Sequence, residues 1–282
     1  LRGVISKRGG AEWWSTYGKI PAALFRGVRV RNTIVVLGPG EGAFVTRHHI
    51  HTAKQRDWLF PTIEYAASAR KGDEWPVRGG VATSILERLR NLGAPPAGRT
   101  DVVYLRPTAS YWFPVLLGPA PVLDSDGRII EPVDSRLRVV PLGAGENAAD
   151  VTATLGGRLT YLWWTAISDD FDVYPRETLA PRALAIAARS RDGWADAVAD
   201  VRQAGRGVSY VSLNKQWYFN VRWNNVRSVT DKLDEIALRA LGGDDQDWRN
   251  LHILYRQVMR SSGDSAKGRY VTDDELTSLL EW

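Results

Sequence analysis

The chain lacks cysteine altogether, and its 282 residues include a single methionine and four histidines. Without cysteine there is no disulfide, no zinc–thiolate site and no thiol nucleophile. The sequence also lacks an apolar run long enough to span a bilayer and a recognisable signal peptide. These absences favour a cytoplasmic protein without a membrane anchor. Because the chain opens on Leu1 in sequence typical of a folded region, we expect a fragment or a processed product.

Tryptophan and positive charge are in excess. The chain has 12 tryptophans and a net charge of +5. Residues 1–60 contain ten basic and three acidic side chains, whereas the segment from Asp231 to the C terminus contains eleven acids and seven bases. A basic front of this kind predicts a side that faces a polyanion such as nucleic acid.

The stretch 155–177 combines a dense aromatic block with an acidic end. The block includes Tyr161, Trp163 and Trp164, and Ser168 and Asp169 follow it directly. Such an apolar block is predicted to be buried. The polar residues after it are expected at the rim of the element, where a rigid scaffold commonly presents binding groups.

The periodicity of the sequence predicts a mixed chain. Alternating apolar and polar residues predict strands at 24–37, 43–46, 102–106, 111–115 and 137–142. Helical spacing predicts helices at 81–92, 181–203 with a break at 192–193, 228–241 starting at Ser228 or Thr230, and 244–260. A capping box at 272–275 predicts a last short helix.

Residues 38–42, Gly-Pro-Gly-Glu-Gly, allow two interpretations. A loop that binds a nucleotide or S-adenosylmethionine is followed by a helix whose N terminus faces the ligand. Here the following residues have the pattern of a strand. The sequence therefore favours the turn of a β-hairpin.

Two polar clusters allow a metal site to be considered. His48, His49 and His51 lie close together, but no further histidine is near them in the sequence. We expect a loop of solvated or phosphate-facing imidazoles there. The Asp169, Asp170 and Asp172 group has the spacing of turn and cap residues. The sequence therefore predicts no metal in this chain.

Residues 213–225 interleave aromatic, amide and basic side chains. Amides and guanidinium groups can contact base edges, while aromatic rings stack or support the backbone. The same pattern also fits core aromatics with polar residues facing outward. Both interpretations can hold together.

Several segments together resemble adenine-specific DNA methyltransferases of the type IIG restriction-modification kind. Residues 14–34 resemble the last conserved strand region of their catalytic domain, and 56–65 are similar to the segment that follows it. Residues 155–176 resemble a block of their target recognition domain, and 213–215 with 230–234 are similar to its end. The family's catalytic motif, Asn or Asp followed by Pro-Pro and an aromatic, does not occur in this chain.

The resemblance implies an α+β chain with a β-rich remnant of a Rossmann-like methyltransferase domain, followed by a mixed α/β target recognition domain with a helical C terminus. The implied domains are 1–65, containing the hairpin, 66–243 for DNA recognition, and 244–282 as a helical extension. The intact enzyme would flip an adenine out of duplex DNA and methylate it from S-adenosylmethionine. The cofactor would bind to an N-terminal catalytic portion outside this chain, so the chain alone is expected to be inactive.

The expected partners are double-stranded DNA and that catalytic portion, within a restriction-modification or antiviral defence system. The alternatives are a separate DNA-specificity subunit, an aromatic-rich carbohydrate-binding module, or a methyltransferase that uses residues 38–42. The candidate DNA-binding residues are Arg29, Arg31, Arg47, His49, Lys54, Arg106, Tyr111, Ser168, Asp169, Asn214, Lys215, Arg222 and Asn224.

Overall fold

The computed structural model describes residues 9–18, 22–25, 27, 31–69, 76–98, 101–109, 112–168, 172–214, 216–258, 268–270 and 274. The chain divides into two compact units. Unit 1 comprises residues 1–91, 162–170 and 243–261, and unit 2 comprises 92–161, 171–242 and 262–282. This division differs from the predicted boundaries after residues 65 and 243, since residues 66–91 and two later segments belong to unit 1.

Helices and strands both contribute, which confirms a mixed α and β class. The strands are β1 Ala11–Tyr17, β2 Asn32–Gly38, β3 Ala43–His49, β4 Ala66–Ser68, β5 Asp101–Leu105, β6 Val122–Leu123, β7 Ile129–Glu131, β8 Arg138–Leu142, β9 Ser209–Asn214, β10 Gln216–Val221 and β11 Gly268–Tyr270. The helices are α1 Thr83–Asn91, α2 Ala148–Gly156, α3 Arg158–Ile167, α4 Leu179–Ala188, α5 Trp194–Gly207, α6 Arg227–Ala240 and α7 Asp245–Val258.

Unit 1 contains a four-stranded sheet in the order β2-β1-β3-β4. β1 is antiparallel to β2 and parallel to β3. The predicted β-hairpin around residues 38–42 is therefore wrong, although both of its strands exist. β1 lies between them because it supplies the most buried side chains of the three strands, including Trp14 and Tyr17.

The crossing from β2 to β3 depends on close backbone contacts. A Cβ on Gly10 would come within 2.6 Å of the Gly38 carbonyl oxygen, and one on Gly38 would come within 2.9 Å of the Trp13 ring. The amide of Glu12 donates to the carbonyl of Gly42 at 2.9 Å. The glycines that suggested a hairpin turn thus allow the chain to pass the end of β1.

Unit 2 contains an antiparallel sheet in the order β11-β9-β10-β6-β7 and an antiparallel pair, β5 and β8. Its helices pack around α2, which contacts α4, α5 and α6. Residues Val151 to Gly156 of α2 are all buried. The apolar composition of α2 therefore explains its central place in the helical layer.

The Trp223 side chain packs against two helices of unit 2 and donates a hydrogen bond to one of its loops. Its indole is 1% exposed, and its Nε1 donates to the carbonyl of Val115 at 2.8 Å. A Cβ on Gly156 in α2 would lie 2.7 Å from the ring, and one on Gly205 in α5 would lie 2.6 Å from it. Both helices therefore need glycine where they meet this indole.

Replacing Gly205 with Ala is expected to destabilise the protein by about 1–3 kcal/mol, because a rigid buried ring has little room to move. Gly207→Ala is the matched control, since nothing lies within 4 Å of the position of its Cβ on the same helix. We expect that variant to be neutral or more stable by up to about 1 kcal/mol, from helix propensity. Urea unfolding of both variants tests the difference; equal stabilities would contradict the packing argument.

The predicted helices at 81–92, 181–203 and 244–260 are confirmed, including the break near residue 193. The strands at 102–106 and 137–142 are confirmed as β5 and β8. The predicted strand at 111–115 is wrong over its described residues, where Val115 makes only an isolated bridge to Leu105. The predicted helix at 228–241 is confirmed as α6, but its predicted cap at Ser228 or Thr230 is wrong, because α6 begins at Arg227 and both residues lie within it. The capping box at 272–275 lies outside the described residues apart from Asp274.

Candidate nucleic-acid interface

The sheet of unit 2 presents a face of half-buried aromatic and polar side chains. Side chains of residues 209–212 in β9 and 218–221 in β10 alternate between buried positions and this second face. In these ranges the second face consists of Tyr210, Ser212, Tyr218 and Asn220. Tyr218 lies opposite Ser212, and Asn220 lies opposite Tyr210, so the four share one side of the sheet. We call these four residues the tyrosine face.

An arginine from outside the sheet lies over one ring of this face. The guanidinium carbon of Arg136 is 4.0 Å from the centroid of the Tyr218 ring, and the Arg136 side chain is 50% exposed. Its Nε donates to Oδ1 of Asp134 at 2.9 Å, and its Nη2 donates to Oδ2 at 3.1 Å. A bidentate pair of this kind fixes the position of the guanidinium plane.

Asp134 also binds Arg106, whose guanidinium carbon is 5.8 Å from the centroid of the Tyr218 ring. Arg106 donates to the carbonyl of Phe219 from Nε at 3.0 Å and from Nη2 at 2.6 Å. Burial alone would raise the pKa of Asp134, but hydrogen bonds from Arg136 and Arg106 outweigh it and lower that pKa. The carboxylate is therefore charged, and two guanidinium groups sharing it leave one net positive charge beside Tyr218.

The second tyrosine has an arginine of its own. The guanidinium carbon of Arg222, the residue after β10, is 4.6 Å from the centroid of the Tyr210 ring. Between the tyrosines, Nδ2 of Asn220 donates to Oγ of Ser212 at 3.1 Å and to the carbonyl of Tyr218 at 3.3 Å. The face therefore contains two tyrosine–arginine pairs joined by a hydrogen-bonded polar segment.

Of the unit 2 residues predicted to bind DNA, Arg222 lies at this face. The prediction that Arg106 contacts DNA is corrected. Its side chain is 11% exposed and bonded to protein atoms, so it supports Asp134 rather than contacting a ligand. Asn224 is half-buried in the short turn Trp223–Val226. The side chain of Asn214, and the whole of Lys215 and Tyr111, lie outside the described part of the chain.

The predicted phosphate contacts of unit 1 are mostly used within the unit. Arg31 donates from Nη2 to Nδ1 of His48 at 2.8 Å and to the Thr165 carbonyl at 3.1 Å. Arg47 donates to the carbonyl of Gln257 at 3.3 Å, and burial lowers its pKa. Both are corrections, because these guanidinium groups bind the protein itself.

Lys54 is exposed within the short helix Ala53–Trp58, so its phosphate role stays a prediction. Arg29 lies outside the described residues.

The three neighbouring histidines are buried, not solvated. His48 and His49 belong to β3, and the exposures of His48, His49 and His51 are 0%, 1% and 2%. The ring of His49 stacks on Tyr17 with centroids 5.5 Å apart. Burial lowers the pKa of His49 to about 3, with contributions from Arg47 and the neighbouring imidazoles. The prediction that His49 faces phosphate is therefore wrong, because an apolar strand environment encloses its ring.

The aromatic block that was predicted to be buried is indeed in the core. Tyr161, Trp163 and Trp164 lie in α3 with exposures of 2%, 5% and 1%. Ser168, expected at a polar rim, is only 5% exposed, and its carbonyl accepts a hydrogen bond from Arg78 at 2.9 Å. The prediction that Ser168 lies at an exposed polar rim is therefore wrong, because neighbouring residues bury it. Asp169 lies outside the described residues.

Sequence reasoning did not select Arg136 and the two tyrosines. Tyr218 belongs to the stretch 213–225, and its alternation with Phe219 could have placed it on an outer face. Arg136 reaches the face from 82 positions away in the chain, through a loop between β7 and β8. No local pattern marks that approach.

The glycine-rich segment does not fit a loop for S-adenosylmethionine. Residues 38–42 lead into β3, so no helix N terminus faces a ligand there. Among the residues that the structure describes, no group of three or more His, Cys, Asp or Glu side chains could hold a metal ion. Residues 38–42 therefore do not have the geometry of a cofactor loop, and the described residues form no ligand set for a metal centre.

The comparisons with known proteins give no relative. No family model, no curated protein and no solved structure matches this chain. Within the described ranges, no helix is both long and apolar enough to cross a membrane. The function is therefore argued from the chemistry of the tyrosine face and from the resemblance described above.

Proposed function

We propose that this chain binds nucleic acid through the tyrosine face, as the DNA-recognition part of a site-specific adenine DNA methyltransferase. The observation that supports this function best is the pair of arginines, Arg136 and Arg222, over two tyrosines of one sheet face. Guanidinium groups contact both phosphates and the planes of bases, and aromatic rings stack on bases. The face also adjoins residues 213–215, which together with 230–234 resemble the end of the family's recognition domain.

The described tryptophans do not favour a sugar-binding platform. A carbohydrate module would use exposed indole faces, but each tryptophan whose side chain the structure describes is buried or half-buried. Four of them are almost completely buried: the exposures of Trp14, Trp164, Trp194 and Trp223 are 2%, 1%, 1% and 1%. Among the candidates, nucleic acid therefore suits the face better than a glycan.

Methyl transfer itself belongs to another portion of the proposed enzyme. This chain has no Asn- or Asp-Pro-Pro-aromatic motif, and residues 38–42 do not form a cofactor loop. The proposed system is a cytoplasmic restriction-modification or phage-defence system, whose catalytic portion binds S-adenosylmethionine. The Rossmann-like origin of unit 1 is part of the same proposal and rests on the resemblance alone.

Replacing Arg136 or Arg222 with Ala is expected to weaken nucleic-acid binding by about tenfold each, because each change removes a charge and a planar contact. Affinity is measured by fluorescence anisotropy with a labelled random-sequence duplex at several salt concentrations. We also expect steep salt dependence for the wild type, since phosphate contacts release counterions. The slope of log affinity against log salt should fall by about one for each arginine that contacts phosphate.

Arg239→Ala is the matched control. Arg239 is 41% exposed in the same unit and lies 3.7 Å from Glu235 on the same helix. It should leave affinity unchanged within about twofold, since a surface pair contributes little. Equal losses of affinity in the Arg239 and Arg136 variants would show that general charge attraction explains the binding. Absence of binding to any nucleic acid would overturn the proposed function.

A further inference from the structure

The geometry of the tyrosine face points to a more specific ligand: we infer that it takes two adjacent unstacked bases of a single-stranded or locally opened nucleic acid. The inference rests on the proposed function because it concerns the same face. It adds the form of the ligand, which the sequence and the resemblance leave as duplex DNA.

The hydrogen-bonding groups of Arg136 point toward the protein. Arg136 uses Nε and Nη2 on Asp134, whose side chain is fully buried. Reading a base edge in a groove requires such N–H groups to point at the base. With this edge occupied, the half-exposed guanidinium offers mainly its plane. A guanidinium plane stacks on a base that has left its helix.

The two tyrosines lie further apart along the sheet than two bases in a duplex stack. Because Tyr218 lies opposite Ser212, and Tyr210 is two residues further along the same strand, the tyrosines are diagonal neighbours. Diagonal neighbours in an antiparallel pair are about 7–8 Å apart. Successive bases of one strand in a duplex are about 3.4 Å apart. This spacing between the Cα atoms, about twice the rise per base of a duplex strand, suits two bases that have separated from one another.

A polar segment formed by Asn220 and Ser212 lies between the two tyrosines. Nδ2 of Asn220 donates to Ser212 and to the carbonyl of Tyr218. Its hydrogens are thereby directed into the sheet, which leaves the carboxamide oxygen as the group that can accept from a base. An acceptor between two stacking positions suits the amino or imino group of an unpaired base, whose Watson–Crick edge is accessible only after the pair has opened.

The charge of the face agrees with this ligand. Arg136 and Arg106 share the carboxylate of Asp134, so these three groups carry one net positive charge at the Tyr218 end, and the guanidinium of Arg222 lies at the Tyr210 end. Each stacking position thus has a cationic group beside it, which suits a strand with one phosphate for each base.

The test compares four labelled 12-residue probes on the full chain by fluorescence anisotropy at one salt concentration: mixed-sequence single-stranded DNA, its RNA counterpart, the matched duplex, and a duplex with two unpaired central bases. We expect both single strands and the opened duplex to bind at least about fivefold more tightly than the matched duplex. DNA and RNA arms distinguish the two sources of unpaired bases. Equal or tighter binding of the matched duplex would overturn this inference while leaving the proposed function intact; no binding of any probe would overturn both.

Variants of Tyr218 and Arg136 separate stacking from charge. Tyr218→Phe keeps the ring and should lose much less single-strand affinity than Tyr218→Leu, which should lose about 5- to 100-fold. Arg136→Lys keeps the charge but loses the plane, so it should lose single-strand affinity and keep the weaker duplex affinity. Arg239→Lys serves as the matched control for this exchange. If Arg136→Lys bound single strands like the wild type, the stacking argument would be wrong, and this variant remains informative even if Tyr218→Leu does not fold.

Discussion

Acidification from pH 6.5 to pH 4 is expected to destabilise unit 1 by about 3 kcal/mol through His49 alone. Burial lowers the pKa of the folded imidazole to about 3, while in the unfolded chain it is about 6.5. Between these values the unfolded chain binds a proton that the folded chain does not bind. Stability is therefore fully present above pH 6.5 and falls as the pH decreases. Urea unfolding at several pH values, followed by hydrogen exchange in peptides from β1 and β3, measures the effect.

The decisive variant is His49→Phe. Neither ring nitrogen of His49 has a hydrogen-bond partner among the described residues, so the replacement removes no such bond and keeps a ring over Tyr17. At pH 7 we expect a change within about 1 kcal/mol, and at pH 4 the variant should be more stable than the wild type by about 3 kcal/mol. An acid response of the same size in both proteins would show that other groups cause it.

In unit 2, Asp234→Ala is expected to destabilise the protein by about 2–4 kcal/mol at pH 5, because it removes an acceptor for two backbone donors. Oδ2 of Asp234 accepts from the amides of Arg158 at 2.6 Å and Leu159 at 3.2 Å, at the first turn of α3. Asp234 is 2% exposed, so water cannot replace it there. Thermal and urea unfolding of the variant measure the loss.

Asp234 also predicts a pH response opposite in sign to that of His49. Burial raises the pKa of Asp234 to about 7, well above the ordinary value of about 3.9 for an aspartate. Between these values the folded chain binds the extra proton, so this contribution to stability is complete below about pH 4 and falls as the pH rises through 7. Asp234→Asn keeps an acceptor but cannot ionise. It should cost less than Asp234→Ala and flatten the response between pH 4 and pH 7; equal costs for the two variants would contradict the capping role.

Sequence patterns predicted the helices of this chain better than its sheets. Apolar residues at helical spacing and glycine or proline at the ends marked α1, α4, α5 and α7 correctly, because these signals are local. The pairing of strands depends on which residues are buried after distant segments meet. The stretch 32–49 has the composition of a hairpin, yet β1 enters between its two strands.

Part of the candidate site could be predicted from the sequence, because some of its residues form a local pattern. The stretch 213–225 contains Tyr218 and Arg222, so its mixture of aromatic and basic residues indicated the right strand. The basic residues of the N-terminal front were misleading. Charge in the sequence does not show whether an arginine reaches solvent, and Arg31 and Arg47 instead bind carbonyl oxygens and an imidazole within unit 1. Arg136 could not be placed from sequence, because only the folded loop brings it over Tyr218.

The position of β1 between β2 and β3 has a consequence for how the sheet of unit 1 assembles. β2 and β3 are neighbours in sequence but have no ladder with each other, so a local hairpin cannot start the process. Each of the two strands has to pair with β1 instead. In the pairing of β1 with β3, the paired residues Glu12 and Ala43 are 31 positions apart. Pairing across such separations slows folding. A truncation that begins after Tyr17 would leave β2 without its strand partner and β3 paired on one side only, with β4, and such unpaired edges are prone to aggregation.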